Sequence, residues 1–275
     1  RLRDDDGLLQ LPGLAGVLRA DPARADGRRP LRDLLAAGAP RHRLGHPRQR
    51  HCDHLTPGFA PKEDTIDTEF LHHFISFITS HVNQGKRFFI IAGGGRPARL
   101  YQNALKDLID TTNNDLDWIG IHTTRLNAQL IRMGFQEKAY PNIITDPTTI
   151  ESDVTHFPVA IAGGWHPGNS TDLVAVKLAE TVGAHKVINL SNIDYVYTAD
   201  PNKNPEAEKI TEMSWTDFQE LVGDTWDPGA SAPFDPIASK LAASLDLEVA
   251  ILNGKNFDNL DNYLQEKDFQ GSIIK

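Results

Sequence analysis

The chain of 275 residues has one cysteine, Cys52, so no internal disulfide can form, and this fits a reducing compartment. No apolar run reaches the roughly 18 residues that a membrane-spanning helix needs. The pattern G-x-x-x-x-G-K-[ST] is missing, which excludes a P-loop nucleotide site. No G-x-S-x-G occurs, which argues against an α/β-hydrolase. Residues 1–61 lack Lys, Ile, Ser, Asn, Tyr and Glu altogether. In their place Gly, Ala, Arg and Pro fill 33 of those positions. What remains is ordinary for a globular protein, with 40% apolar and 24% charged residues, and the length allows one large domain or two small ones.

Charge divides at the same seam. Eleven Arg against seven Asp give residues 1–61 a net +4, whereas residues 62–275 carry −13, for a total of −9. A basic arm suggests nucleic acid, but here the arginines alternate with Asp4, Asp5, Asp6, Asp21, Asp26 and Asp33. No aromatic residue precedes Phe59, so bases would have nothing to stack on. Nucleic-acid binding is therefore not expected. The apolar stretch Leu8–Leu18 is broken by Pro12 and Gly13 and preceded by three Asp, unlike a signal peptide. His51, Cys52 and His54 crowd into four residues with no second cluster, so no metal site is expected there.

A third reading of the seam is a change of reading frame. The codons of His51, Cys52 and Asp53, moved one base, encode Ile or Thr, Val or Ala, and Ile or Thr, which is strand-forming sequence. The shift would lie between about Leu55 and Ala60. Residues 1–60 are accordingly expected to be non-native or disordered, and residues 61–275 to form the working domain.

From Pro61 onward the chain alternates helices and strands. Thr65–Gly85 reads as an amphipathic helix capped by Thr65 or Asp67. Arg87–Ala92 reads as a buried parallel strand and is followed by Gly93-Gly94-Gly95 and a helix from about Pro97. Further helices are expected at Trp118–Met133 (ending at Gly134), Asp172–Val182, Ser214–Val222, Asp235–Leu245 and Asp258–Leu264. Further strands are expected at Asn142–Thr145, Pro158–Ala162, Lys186–Leu190, Glu248–Leu252 and Ser272–Ile274. This order predicts a three-layer α/β/α sandwich around a mainly parallel central sheet.

Ligands of such sheets bind at the carboxyl ends of the strands. Two strands there run into glycine-rich turns that open helices, a geometry that presents main-chain N–H groups to an anion. The first turn, Gly93 to Arg99, nominally fits the dinucleotide fingerprint, but the acidic residue that should end the next strand is missing; Asp117 leads into a helix instead. Arg99 lies one helical turn past the glycines, placed to fork onto a phosphate. The second turn, Gly163-Gly164-Trp165-His166-Pro167-Gly168-Asn169-Ser170-Thr171-Asp172, gathers main-chain donors and small polar side chains. A third polar cluster runs from Ser191 to Pro201.

In order, GGGRPAR (93–99), DWIGIHTTRLNAQL (117–130), EKAYP (137–141), GGWHPGNSTD (163–172), SNIDYVYTADPNKNPEAEKI (191–210) and DPIASK (235–240) resemble the archaeal-type UMP kinases of the amino-acid kinase superfamily. The resemblance implies transfer of phosphate from ATP to UMP with Mg²⁺, in pyrimidine nucleotide biosynthesis, by a cytoplasmic homohexamer. It implies that Gly94, Asp117, Trp165, His166, Pro167, Gly168, Asn169, Ser170 and Thr171 bind UMP, with Asp117 on the ribose hydroxyls. Gly95, Arg99, Ser191, Asn192, Tyr197 and Asp200 would bind ATP. Arg99, Asp172 and Lys240 would act on the transferring phosphate.

Three departures stand out. The family's first strand and Gly-Gly-Ser loop should precede Pro61, where only Gly58 is found. Trp165 replaces the usual Thr and would stack on or crowd the uracil, and Tyr195 replaces the usual Gly. A poor kinase is therefore expected. The alternatives are a non-catalytic nucleotide- or oxyanion-binding protein of the same fold and a kinase for another small phosphate.

Overall fold

The computed structural model describes residues 66–199, 201, 204–223 and 233–275 in full, together with the backbone of 14–20. In chain order the elements are β1 (Leu14–Ala20), α1 (Thr68–Asn83), β2 (Arg87–Ala92), α2 (Gly95–Leu108), α3 (Asn113–Phe135), β3 (Val159–Ala162), α4 (Thr171–Val182), β4 (Lys186–Ser191), β5 (Val196–Tyr197), β6 (Lys209–Ile210), β7 (Glu212–Met213), α5 (Trp215–Val222), α6 (Pro236–Ser244), β8 (Glu248–Asn253), α7 (Phe257–Leu264) and β9 (Ser272–Ile274). Seven strands form the main sheet in the order β3-β2-β1-β4-β8-β9-β7, and β5 and β6 pair separately.

The core strands are buried on both faces, which explains their unbroken apolar runs. In β2, Phe89 and Ile91 face one core with α4, α5 and α6, while Phe88, Ile90 and Ala92 face the other with α1, α3 and α7. β8 alternates in the same way, with Val249 and Ile251 opposite Ala250 and Leu252. These two cores make the three-layer architecture expected from the sequence. No helix of the described residues is long and apolar enough to cross a membrane.

Strand direction decides where a ligand can sit. β2 runs parallel to β3, β4 runs parallel to β8, and β1 is antiparallel to both β2 and β4. Strands β2, β3, β4 and β8 therefore all point the same way and present their carboxyl ends at one edge. Leu14–Ala20 comes from the stretch set outside the domain on composition, yet its backbone pairs in mid-sheet, from Leu14↔Ala92 to Ala20↔Arg87. A gap between β2 and β4 would leave two rows of main-chain N–H and C=O groups unpaired.

Two expectations need correction. Gly134 does not end a helix, because α3 continues to Phe135. A Cβ at Gly134 would lie 2.3 Å from Ile75 Cδ1, so this glycine permits close packing on α1 instead. Asn142–Thr145 is not a strand. Ile144 alone bridges Ala162, giving its N–H to Ile161 and its carbonyl to Gly163. Pro141 and Pro147 on either side limit the pairing. Helix α3 also starts earlier than its apolar pattern suggests, because Thr112 and Asp115 form a reciprocal capping box.

Candidate functional site

Both glycine turns leave the shared strand edge. The first carries β2 into α2 through Gly93 and Gly94. Gly95 has φ +59°, a left-handed conformation that favours glycine. At Gly94 a Cβ would sit 2.6 Å from the Ala98 Cβ. The cap of α2 is Gly94, which has no side chain to occupy the first N–H groups, and the first turn has no acidic residue. Arg96 and Arg99 lie in that first turn and a half, so positive charge gathers where the helix dipole is also positive. This is an anion-accepting arrangement.

The second turn carries β3 into α4. Gly163 and Gly164 press against α3, where Cβ atoms would lie 2.9 Å from Arg125 Cγ and 2.9 Å from Thr124 Oγ1 respectively. Gly164 donates its N–H to Thr124 Oγ1. Arg125 donates from Nε to the Gly164 carbonyl at 3.0 Å and from Nη2 to the Trp165 carbonyl at 2.8 Å. Burial pulls the pKa of this guanidinium down, and it remains the cation that ties off the two carbonyls. Further along, Gly168 has φ +81° and donates its N–H to Asp117 Oδ2 at 2.8 Å. Asn169 closes the turn through Nδ2, donating to the carbonyls of His166 at 3.2 Å and Pro167 at 3.1 Å. Ser170 caps α4 by accepting from the Leu173 N–H, and Thr171 and Asp172 open that helix.

Helix α3 thus holds both turns. Asn127 on the same helix donates from Nδ2 to the Gly93 carbonyl at 2.8 Å and to the Gly94 carbonyl at 3.3 Å. Thr124, Arg125 and Asn127 carry this bracket, and sequence reasoning assigned them no role. The signal was present: Thr124 and Asn127 are polar residues among the core positions Ile121, Ala128 and Ile131 of the same helix.

Asp172 and Asp235 form the second structural knot. Asp172 Oδ2 accepts from the Asp235 N–H at 3.0 Å, while Asp235 Oδ1 caps α6 by accepting from Ala238 N at 2.7 Å. Burial drives the Asp172 carboxyl up to about 7; the Asp235 N–H opposes this and the Asp235 charge adds to it. Lys240 is exposed one turn into α6.

The third cluster follows β4. Ser191 ends the strand and its carbonyl accepts from the Gly254 N–H, while Asn192 follows it. Asn253, at the end of β8, donates from Nδ2 to Asp194 Oδ1 at 2.8 Å, which fixes the loop between them. Tyr197 lies in β5, edge-on to Tyr195 at 6.5 Å. Tyr195 is not among the described residues with positive φ, and Lys209 lies 5.0 Å from its ring centre. Asp200, like His51, Cys52 and His54, lies outside the described residues.

A profile of the amino acid kinase family matches residues 59–253. The chain is 32% identical over 210 residues to the uridylate kinase of Pyrococcus abyssi, spanning 76% of this chain and 92% of that protein. It is 31% identical over 214 residues to the uridylate kinase of Thermococcus sibiricus, spanning 77% and 93%. The crystal structure of uridylate kinase from Archaeoglobus fulgidus superposes with a TM-score of 0.67 at 29% identity, covering 76% of this chain and 94% of that one.

Proposed function

Because this chain belongs to the amino acid kinase family, we propose that it transfers the γ-phosphoryl group of ATP to UMP, giving ADP and UDP. The observation that carries this reading is the pair of glycine turns at one sheet edge, bracketed together by α3. Two adjoining glycine turns, the first of them anion-accepting, suit a donor and an acceptor that both carry phosphate. UMP takes the second turn, from Trp165 to Thr171, with Gly94 and with Asp117 on the ribose. The ATP phosphates lie toward Gly95 and Arg99, and the nucleoside toward Ser191, Asn192, Tyr197 and Asp200.

The chemistry needs little beyond position and charge. A UMP phosphate oxygen is already ionised at neutral pH, so no base must activate it. It bonds to the γ-phosphorus as the bond to the β,γ-bridging oxygen breaks, and that electron pair leaves on ADP. Arg99 and Lys240 supply positive charge to the transferring group, and Asp172 orients what surrounds it. Mg²⁺ supplies charge neutralisation when it arrives with ATP. Among the described residues no three Asp, Glu, His or Cys side chains converge on a point.

Residues 1–60 belong to the same proposal as non-native sequence. Three observations support this: the compositional seam, a family match that starts at residue 59, and the antiparallel run of β1. A strand leading directly into α1 and on to β2 would instead run parallel, as βαβ units do. The shifted frame supplies more than a strand. The codons of Gly58, Phe59 and Ala60, moved one base, read GNT-TYG, which admits Gly-Ser. The protein as written is then a weak kinase that still binds UMP. Homo-oligomerisation has a candidate surface in α3, where Trp118, Leu126, Leu130 and Met133 form an exposed apolar stripe.

Thermal shift with UMP, CMP, AMP, isopentenyl phosphate and molybdate, each with and without Mg-ATP, tests the assignment. UMP at a thousand times its Kd should stabilise by about 4 kcal/mol. No response to UMP removes the reading. Turnover on the order of 1–100 s⁻¹ by this chain removes the weak-kinase part. Sequencing the gene and finding one uninterrupted frame, with a peptide across residues 51–61, removes the frameshift.

A further inference from the structure

Asn189 is an amide in the middle of β4, where the other core positions are Val187, Ile188 and Leu190. It is buried, and it shares the face of Val187, toward the core that holds α4, α5 and α6. Burying an amide is unfavourable unless it is hydrogen-bonded. Here Nδ2 donates to the Pro233 carbonyl at 3.0 Å, across 44 residues of chain. Pro233 stands at the entry to α6, two residues before the cap Asp235.

The next two residues are held as well. The Phe234 ring is fully buried and lies 6.3 Å from that of Trp215 on α5. The Asp235 N–H donates to Asp172 Oδ2 on α4 at 3.0 Å. Three consecutive residues are thus fixed from three different elements, one strand and two helices. Inside α6, Ser239 gives both its N–H and its hydroxyl to the Asp235 carbonyl, at 2.8 and 2.7 Å. Lys240 follows directly, about 6 Å along the helix axis from Pro236.

We infer that Asn189 is a positioning residue for Lys240: it holds the Pro233 carbonyl so that α6 starts at one place on the sheet. This rests on the reading that Lys240 supplies charge to the transferring phosphate. A strand is a firm support for such a contact, and β4 is paired with β8 from Lys186↔Glu248 to Ser191↔Asn253. The strand that ends at Ser191, in the proposed ATP cluster, therefore also sets the helix that carries the lysine. Without the Asn189 donor the Pro233 carbonyl is left without this partner, and the start of α6 shifts. A displacement of about 1 Å at a group that meets the reacting phosphate is enough to slow transfer.

Asn189→Val keeps a strand-forming side chain and removes the donor. Asn189→Ala removes it without adding a branch and keeps the test in hand if the valine variant does not fold. Amide hydrogen exchange across residues 234–241 is read without ligand, UMP affinity by calorimetry, and kcat for UMP phosphorylation at saturating Mg-ATP. Both variants should quicken exchange about 10-fold and lower kcat 5- to 10-fold, with UMP affinity within 2-fold of the parent chain. In a Lys240→Ala background, Asn189→Val should quicken exchange as before but change kcat by less than 2-fold. Unchanged exchange in both variants overturns the inference. An equal loss of kcat with and without Lys240 also overturns it, because the amide then acts on stability alone. No turnover by the parent chain overturns the kinase reading instead, and exchange alone then decides whether Asn189 sets α6.

Discussion

Asp172 accepts, through Oδ2, the main-chain N–H of Asp235 at 3.0 Å, and so joins the first turn of α4 to the cap of α6. One hydrogen bond thereby links the helix that follows the second glycine turn to the helix that carries Lys240. It also leaves a desolvated carboxyl group beside a second one.

Stability should therefore depend on pH through Asp172. Its carboxyl is raised from 3.8 to about 7 in the folded chain. Between about pH 4 and 7 the folded state keeps a proton that the unfolded state has released, so stability falls as pH rises through that window. The whole effect is at most about 4 kcal/mol, at about 1.4 kcal/mol per pH unit. Asp172→Asn keeps an acceptor for the Asp235 N–H and should flatten the dependence, making the variant more stable than the parent at pH 8. Urea unfolding at pH 5.5 and pH 8 measures both slopes, and equal slopes would count against the buried carboxyl.

Asn127→Ala should cost about 1–3 kcal/mol, because two main-chain carbonyls of the first turn lose their donor. Asn127→Asp should cost more, since a carboxylate would face those carbonyls. The loss should appear in ATP affinity as well as in the melting temperature, with UMP affinity less affected.

Arg125→Lys should behave like Arg125→Ala. The two carbonyls of Gly164 and Trp165 are taken by different nitrogens of one planar group, and an ammonium has no such fork. A loss of about 1–3 kcal/mol is expected for either variant. A lysine variant with parental UMP affinity and melting temperature would show that charge alone suffices.

Two glycines of the second turn should fail for different reasons. In Gly164→Ala the new Cβ would meet Thr124 Oγ1 at 2.9 Å and the Ile121 backbone at 3.2 Å, so crowding should cost about 1–3 kcal/mol. Adding Thr124→Ala should not rescue it, because the Gly164 N–H then loses its acceptor. In Gly168→Ala the Cβ points into open space, and the cost is the left-handed φ alone, about 1–2 kcal/mol. Gly168→Asn should recover part of that cost, whereas Gly164→Asn should not. Denaturant midpoints separate the two cases.

The sheet's order of strands and helices was legible because buried parallel strands and capped helices leave strong local signals. Arg87–Ala92 and Ser272–Ile274 fall where the sequence placed them, and Asp67, Ser214 and Asp235 are the caps. What the sequence hid depends on contacts distant along the chain. Gly134 looks like a helix stop until Ile75 is seen against it. Ile144 looks like part of a strand, but one bridge is all its neighbours allow. The two-residue strands β5, β6 and β7 are too short to show a period. In the site, the glycine turns were visible as composition, and Asp117 as a motif residue. The bracket of Thr124, Arg125 and Asn127 was not, since a polar residue on a buried helix face reveals its purpose only when the partner carbonyls are in view.

The single helix behind both turns has a consequence for inhibition and escape. A compound that pries the two glycine turns apart must break the hydrogen bonds that α3 makes to Gly93, Gly94, Gly164 and Trp165, so it works against one helix rather than two loops. Escape substitutions are then expected along the hidden face of α3, at positions that never meet the compound.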